Sequence, residues 1–268
     1  MMCASAVDPV RHGRAPPYSV LVAGLAILVV ILMGASLAIG YAPMYLEENA
    51  DAIRNSWPRV PLPRTREMLE VSAQLGASLA ALLDVDTPLP GLDADPLPRL
   101  EPIASISPLD RAPGPLDLSL TAGWAVAQTR TVKSGAVGRV VMPGDGRVDW
   151  RLRSASEAAT LSDHERQQLG DEIVDVYLNA ETAWLGVPGT VWNYKIGGYQ
   201  VLRKWLAYRE EAILGRPLTS AEVRQFQSIA RRLAELVRLG ADLNANYQAC
   251  TGTVEQDPLP LVMSVASD

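Results

Sequence analysis

The sequence predicts an α+β fold: a mostly helical domain with a small antiparallel β region, preceded by a single long apolar helix. Three observations carry this expectation. Apolar residues recur at helical spacing in Arg64–Leu83 and again from Thr219 onward. Between them, Leu116–Arg153 switches to period-two alternation around a turn-rich Pro143-Gly144-Asp145-Gly146 loop. Ahead of everything, Val20–Ile39 is almost wholly apolar, and no charged residue occurs from Ala15 to Leu46.

The apolar run is long enough, at about 1.5 Å per residue, to cross a hydrocarbon core of roughly 30 Å. Arg11 and Arg14 precede it, and Glu47, Glu48 and Asp51 follow. Hydropathy therefore reads residues 18–42 as a transmembrane helix, with a membrane as partner through Val20 to Ile39. A secretory signal and a helix buried in a larger protein are the competing readings. Residues 1–17 form a polar N-terminal tail and residues 251–268 a disordered one. Residues 43–250 remain as the main domain.

Within that domain Pro43 ends the apolar helix, and Glu47–Asn55 reads as a polar helix. Trp57–Pro63 is an extended, proline-punctuated connector. Arg64–Leu83 is an amphipathic helix with Thr65 as N-cap. Thr87–Pro115, dense in Pro and Asp, is irregular. Leu116–Leu120 and the two arms of a Val140–Val148 hairpin supply the strands. Ser162 opens a helix predicted to run through Leu178, which would put Asp171 and Asp175 on one solvated face. Two more helices follow, Gln200–Leu214 and Thr219–Leu239, joined by Gly215-Arg216-Pro217. Thr219 and Glu222 have capping-box spacing, and Val223, Phe226, Ala230, Leu233 and Val237 form a buried stripe.

Charge is unevenly distributed. The chain of 268 residues carries a net charge of −6. Between Gly189 and Gly240, however, nine basic residues (Lys195, Arg203, Lys204, Arg209, Arg216, Arg224, Arg231, Arg232 and Arg238) face four acidic ones, Glu210, Glu211, Glu222 and Glu235. A local cationic excess inside an acidic chain fits either a phosphate-facing surface or an ordinary solvated helix with ion pairs. The two cysteines, Cys3 and Cys250, lie at opposite ends and imply no disulfide framework. His12 and His164 have no metal-ligand spacing, and no cofactor is expected. Phosphate-loop, dinucleotide and nucleophile-elbow motifs are absent, as is an Asn-Pro-Pro-aromatic tetrapeptide.

Several phrases occur together: Trp57-Pro58-Arg59-Val60-Pro61-Leu62-Pro63, Leu120-Thr121-Ala122-Gly123-Trp124, Val141-Met142-Pro143-Gly144, Asp175-Val176-Tyr177-Leu178-Asn179, Trp192–Leu206 and Leu214–Thr219. In this order they resemble the C-terminal target-recognition (specificity) domain of Type ISP restriction–modification enzymes. The resemblance spans roughly Tyr41 to Cys250. It implies a non-catalytic module that binds double-stranded DNA, with a methyltransferase and translocase on a separate polypeptide as a further expected partner. It also implies a cytoplasmic location, against the membrane reading of the apolar run.

The candidate recognition residues lie in one block. Lys195, Arg203 and Lys204 can neutralise phosphates, Gln200 can pair with adenine, and Gly197-Gly198 allows a close backbone approach or a φ > 0 turn just before a helix, whose N-terminus offers free N–H groups. Trp192, Tyr194 and Tyr199 can stack on bases or fill the core, the core being the preferred reading, and Arg231-Arg232 is read as solvated, with phosphate contact as the alternative.

Overall fold

A computed structural model describes residues 17–90, 92, 103–108, 116–124, 152–154 and 163–252. These fall into two compact units, one within Met1–Ala77 and Asn246–Asp268, the other within Ser78–Ala245.

In the first unit the apolar run is a helix, α1 (Pro17–Gly40), followed by the short helices α2 (Pro43–Glu48) and α3 (Ala50–Asn55). The Trp57–Pro63 connector has no regular structure, as its prolines require. It leads to α4 (Arg66–Leu83), whose N-terminus is capped as expected: Thr65 Oγ1 accepts from Met68 N at 3.2 Å. The C-terminal half of α1 packs within this unit, with Ala35, Ala38 and Ile39 buried. Its contact with α4 is made by small residues. A Cβ added to Gly34 would lie 3.1 Å from the Ala73 carbonyl oxygen, and one on Gly76 would overlap the Gly34 carbonyl. Near Asn246 and Tyr247, which belong to the same unit, Tyr45 meets Tyr247 edge-on at 5.6 Å, the Tyr247 hydroxyl donates to Glu48 at 2.7 Å, and Ser72 Oγ donates to Asn246 Oδ1 at 2.8 Å.

This packing corrects the membrane expectation. Among the described residues no helix is long and apolar enough to cross a membrane. The physical reason lies in where α1 becomes buried. Where its side chains are described, the exposed apolar ones of α1 lie between Val22 and Met33, and Ala35, Ala38 and Ile39 beyond them are buried.

The second unit is built on a four-stranded antiparallel sheet in the order β1 (Ser105–Pro108), β4 (Thr182–Pro188), β3 (Ile173–Tyr177), β2 (Leu152–Ser154). The β region thus exists, but mostly from segments read otherwise. β1 lies inside the stretch expected to be irregular. The expected Ser162–Leu178 helix is a short α5 (Asp163–Leu169) followed by β3. Gly170, at φ 84°, ends α5, and the β-branched run Ile173-Val174, with Val176, takes the strand. Asp175 therefore does not share a helix face with Asp171. It is buried and accepts from Gly186 N at 3.0 Å, beside the register shift between Val174 and Val176. The Val140–Val148 hairpin lies outside the described residues, as do most of both predicted tails.

Leu116–Leu120 is not a ladder strand but a strap. Leu118 O accepts from Leu218 N and Leu120 O from Glu211 N, each at 2.9 Å, and Leu178 O accepts from Thr121 N and Ala122 N at 2.9 Å. Asn179 locks the β3–β4 turn to this strap. Its amide donates to Asp117 O (3.1 Å) and Ser119 O (2.8 Å), and its Oδ1 accepts from Glu181 N and Thr182 N at 2.9 Å.

After β4 come α6 (Gly189–Trp192), a two-stranded hairpin of β5 (Lys195–Ile196) and β6 (Tyr199–Gln200), α7 (Val201–Ala207), α8 (Glu211–Leu214) and α9 (Ser220–Thr251). The expected Gln200–Leu214 helix is therefore broken at Tyr208–Glu210. There the strap enters: the Glu210 carboxylate accepts from Trp124 N while Glu211 N is drawn to Leu120 O. The capping box of α9 forms as read, with Glu222 N donating to Thr219 Oγ1 at 3.2 Å and Thr219 N to Glu222 Oε2 at 2.8 Å. Val223, Phe226, Ala230 and Leu233 are buried, and Val237 is half-buried.

The glycine contact between α1 and α4 yields a prediction. Ala in place of Gly in a helix interior ordinarily gains about 1 kcal/mol. At Gly76 the added methyl meets the Gly34 backbone, which cannot swing away as a side chain could, and overpacking costs about 1–3 kcal/mol. Gly76→Ala should therefore lower the urea midpoint, whereas the propensity gain alone would raise it.

Candidate functional site

The Trp192–Arg209 segment is held by two tryptophan anchors. Trp192, at the end of α6, is buried against Trp124 with ring centroids 5.2 Å apart, and Trp124 Nε1 donates to Tyr177 O at 2.9 Å. Trp205, on α7, meets Phe226 at 5.4 Å and Trp184 at 6.3 Å, and Trp184 stacks on Phe226 at 4.0 Å. Arg209 covers the outer side of Trp205, its guanidinium carbon 4.2 Å from a ring centroid. Between the anchors the chain stands out as the β5–β6 hairpin.

Gly197 and Gly198 occupy its two-residue turn with φ of 57° and 85°. Positive φ at both central residues is the type I′ pattern that matches the right-handed strand twist, and only glycine adopts it without strain. The glycine pair therefore makes a positive-φ turn, at the tip of a hairpin. Tyr199 and Gln200 separate it from α7, whose first amide, Val201 N, is already bonded to Tyr194 O at 3.1 Å.

The hairpin register pairs Lys195 with Gln200 and Ile196 with Tyr199. Cross-strand partners share a face, and neighbours along a strand alternate. One face is therefore polar, carrying Lys195 and Gln200, and Gln200 Nε2 donates to Asn193 Oδ1 at 3.1 Å. The other is apolar, with Ile196 44% and Tyr199 64% exposed. Tyr199 is thus a surface residue, contrary to its reading as core; the short hairpin carries it outside the tryptophan-filled interior.

Lys204 lies on the same side. Its Nζ is 4.8 Å from the Tyr199 ring centroid and 4.7 Å from that of Tyr208, itself well exposed. Hydrogen bonding to Tyr208 is the main reason its pKa is raised above the ordinary lysine value. Arg203 is half-buried on α7. The structure thus brings Lys195, Gly197, Gly198, Gln200, Arg203 and Lys204 into one hairpin–helix unit.

The wider cationic excess survives only in part as free surface charge. Arg231 and Arg232 are buried, not solvated. Arg232 donates to backbone carbonyls at the end of α4 and just beyond it: Ala81 O at 3.0 Å, Asp84 O at 2.7 Å and Thr87 O at 2.7 Å. A guanidinium is well suited there, since a helix C-terminus leaves unpaired acceptors of partial negative charge. Arg238 is paired with Glu235 (2.6 Å) and Glu165 (3.3 Å). Arg216 forks onto Glu222 at 2.8 and 3.1 Å, and Arg209 Nε lies 4.0 Å from the same carboxylate. Lys195, Lys204 and Arg224 remain well exposed. Sequence spacing alone carried no signal for this sorting, because the carbonyls that Arg232 serves are far away along the chain. Among the described residues no group of His, Cys, Asp and Glu could hold a metal ion.

A family model, the Type ISP C-terminal specificity domain, matches residues 37–239. This chain belongs to that family. No curated protein and no solved structure matches it. The Type ISP match includes the hairpin, the strap and both tryptophan anchors, and stops short of the exposed part of α1. As a specificity domain, the family is one of recognition and not of catalysis.

The arginine network generates two predictions. Arg232→Met keeps much of the side-chain volume but removes the charge-assisted bonds of a buried guanidinium to three backbone carbonyls, a loss on the order of 3 kcal/mol. Arg224→Ala, at an exposed position, should stay within about 0.5 kcal/mol of the native chain. Chemical denaturation of both variants checks the contrast.

Glu222 supplies the second. Arg216 above all, with Thr219, depresses its pKa from 4.5 to about 2. A depressed carboxylate contributes stability that is present above its unfolded pKa and lost as pH falls through the folded value. Stability should therefore decline as pH drops from about 4.5 to about 2. Glu222→Gln should flatten that part of a plot of Tm against pH.

Proposed function

We propose that this chain is a DNA target-recognition module whose contact surface is the β5–β6 hairpin and the adjoining α7. Membership of the specificity-domain family is the observation that carries this reading. The geometry of the block supports it. An exposed two-stranded ribbon between the tryptophan anchors has a lysine beside each face: its own Lys195 beside Gln200, and Lys204 of α7 beside Tyr199. Lys195, Arg203 and Lys204 would contact phosphates, Gln200 would face base edges, and Gly197-Gly198 would let the backbone approach the duplex closely. Methylation and translocation would belong to other modules, carried by a partner polypeptide.

Fluorescence anisotropy with a labelled duplex across a salt series tests this. Binding to arbitrary sequence should fall in the non-specific range of roughly 10⁻⁴ to 10⁻⁶ M near physiological salt. Replacing Lys195, Arg203 and Lys204 by Ala should weaken it and reduce the slope of log K against log salt by about 0.9 for each phosphate that is no longer neutralised. Circular dichroism monitors that the fold is retained. A native slope in the triple variant would remove these side chains from the interface.

A further inference from the structure

Resting on the recognition reading, we propose that the apolar face of the hairpin, Ile196 with Tyr199, enters the major groove and reads the 5-methyl group of thymine. The two side chains are direct partners across the ladder, next to the turn, and both are substantially exposed. An exposed apolar pair at the tip of an anchored ribbon has no packing role in the described interior. Trp192 and Trp205 fill that role on either side.

Duplex DNA offers apolar surface in two forms. One is the thymine methyl, which lies in the major groove. The other is the base face, which is reached only by unstacking a step. Width decides between them. Two strands about 4.8 Å apart, with side chains on both faces, suit a major groove about 12 Å wide and exceed a minor groove about 6 Å wide. The glycine turn helps, because open space surrounds Gly197 and Gly198 and neither adds a side chain ahead of the reading pair. Charge fits the same placement. Lys195 lies on the opposite face, and the Lys204 ammonium sits between the Tyr199 and Tyr208 rings. Lys204 is on this account also a positioning residue, restraining the Tyr199 ring while remaining able to meet a flanking phosphate.

Selection of preferred sites from a random duplex pool, followed by replacement of thymine with deoxyuridine in the selected duplex, tests the proposal. The native chain should enrich thymine at one or two positions and lose about fourfold in affinity for each methyl removed. Ile196→Ala or Tyr199→Ala should shrink the thymine–uracil difference while leaving the salt slope unchanged. Equal affinity of the native chain for the two duplexes, a selection without enriched thymine, or a difference unchanged in both variants would each overturn the inference. If DNA binding and its salt slope persist in those cases, the recognition reading stands and only the methyl reading falls. Absence of DNA binding at the lowest salt would overturn both.

Discussion

The stacking of Trp184 on Phe226 is the contact on which the Ser78–Ala245 unit depends. It joins the central strand β4 to α9, and Trp205 closes the cluster edge-on from α7. Each such aromatic pair adds about 0.5–1.5 kcal/mol beyond the area it buries. The geometric consequence matters more than the energy. Strand, long helix and short helix are referred to one rigid point, so the hairpin between α6 and α7 leaves the protein in a defined direction. A site meant to read a partner's surface needs such support, because small displacements at its base are magnified at its tip.

The arginines divide by what surrounds them. Arg232 is buried and donates to carbonyls at the end of α4 and beyond it, and Arg238 and Arg216 answer carboxylates. A buried guanidinium left without acceptors costs more than a surface ion pair gains, so its partners fix where Arg232 lies. The cationic excess between Gly189 and Gly240 is real as composition, yet only part of it is presented to solvent. Lys195 and Lys204 lie on that surface because both are on the projecting hairpin–helix unit.

The family phrases divide in the same way. Leu120–Trp124 continues the strap and ties the β3–β4 turn to the start of α8. Asp175–Asn179 is a core strand and turn whose polar ends bond to backbone. Both phrases serve the fold. Trp192–Leu206 combines both uses, with buried tryptophans at its ends and an exposed tip between them. The glycine pair was legible as a turn signal, but not the ribbon that flanks it, since two-residue strands carry no periodicity.

What the sequence alone determined is local or cumulative. The capping box at Thr219, the N-cap at Thr65, the buried stripe of α9 and the proline-broken connector depend on residues within one or two turns of each other. The ordered phrases identified the family. What the tertiary structure decided is which side of each ambiguous segment is buried. Ile173–Tyr177 became a strand because β2 and β4 offer it ladder partners. Arg231 and Arg232 went inside because the far end of α4 needed donors. The apolar run is buried toward its C-terminal end because α4 meets it there, Gly76 against the Gly34 backbone. Tyr199 came out because a two-glycine turn lifted it clear of the tryptophans. All but the last of these decisions are made by a group distant along the chain, and no local pattern records distant partners.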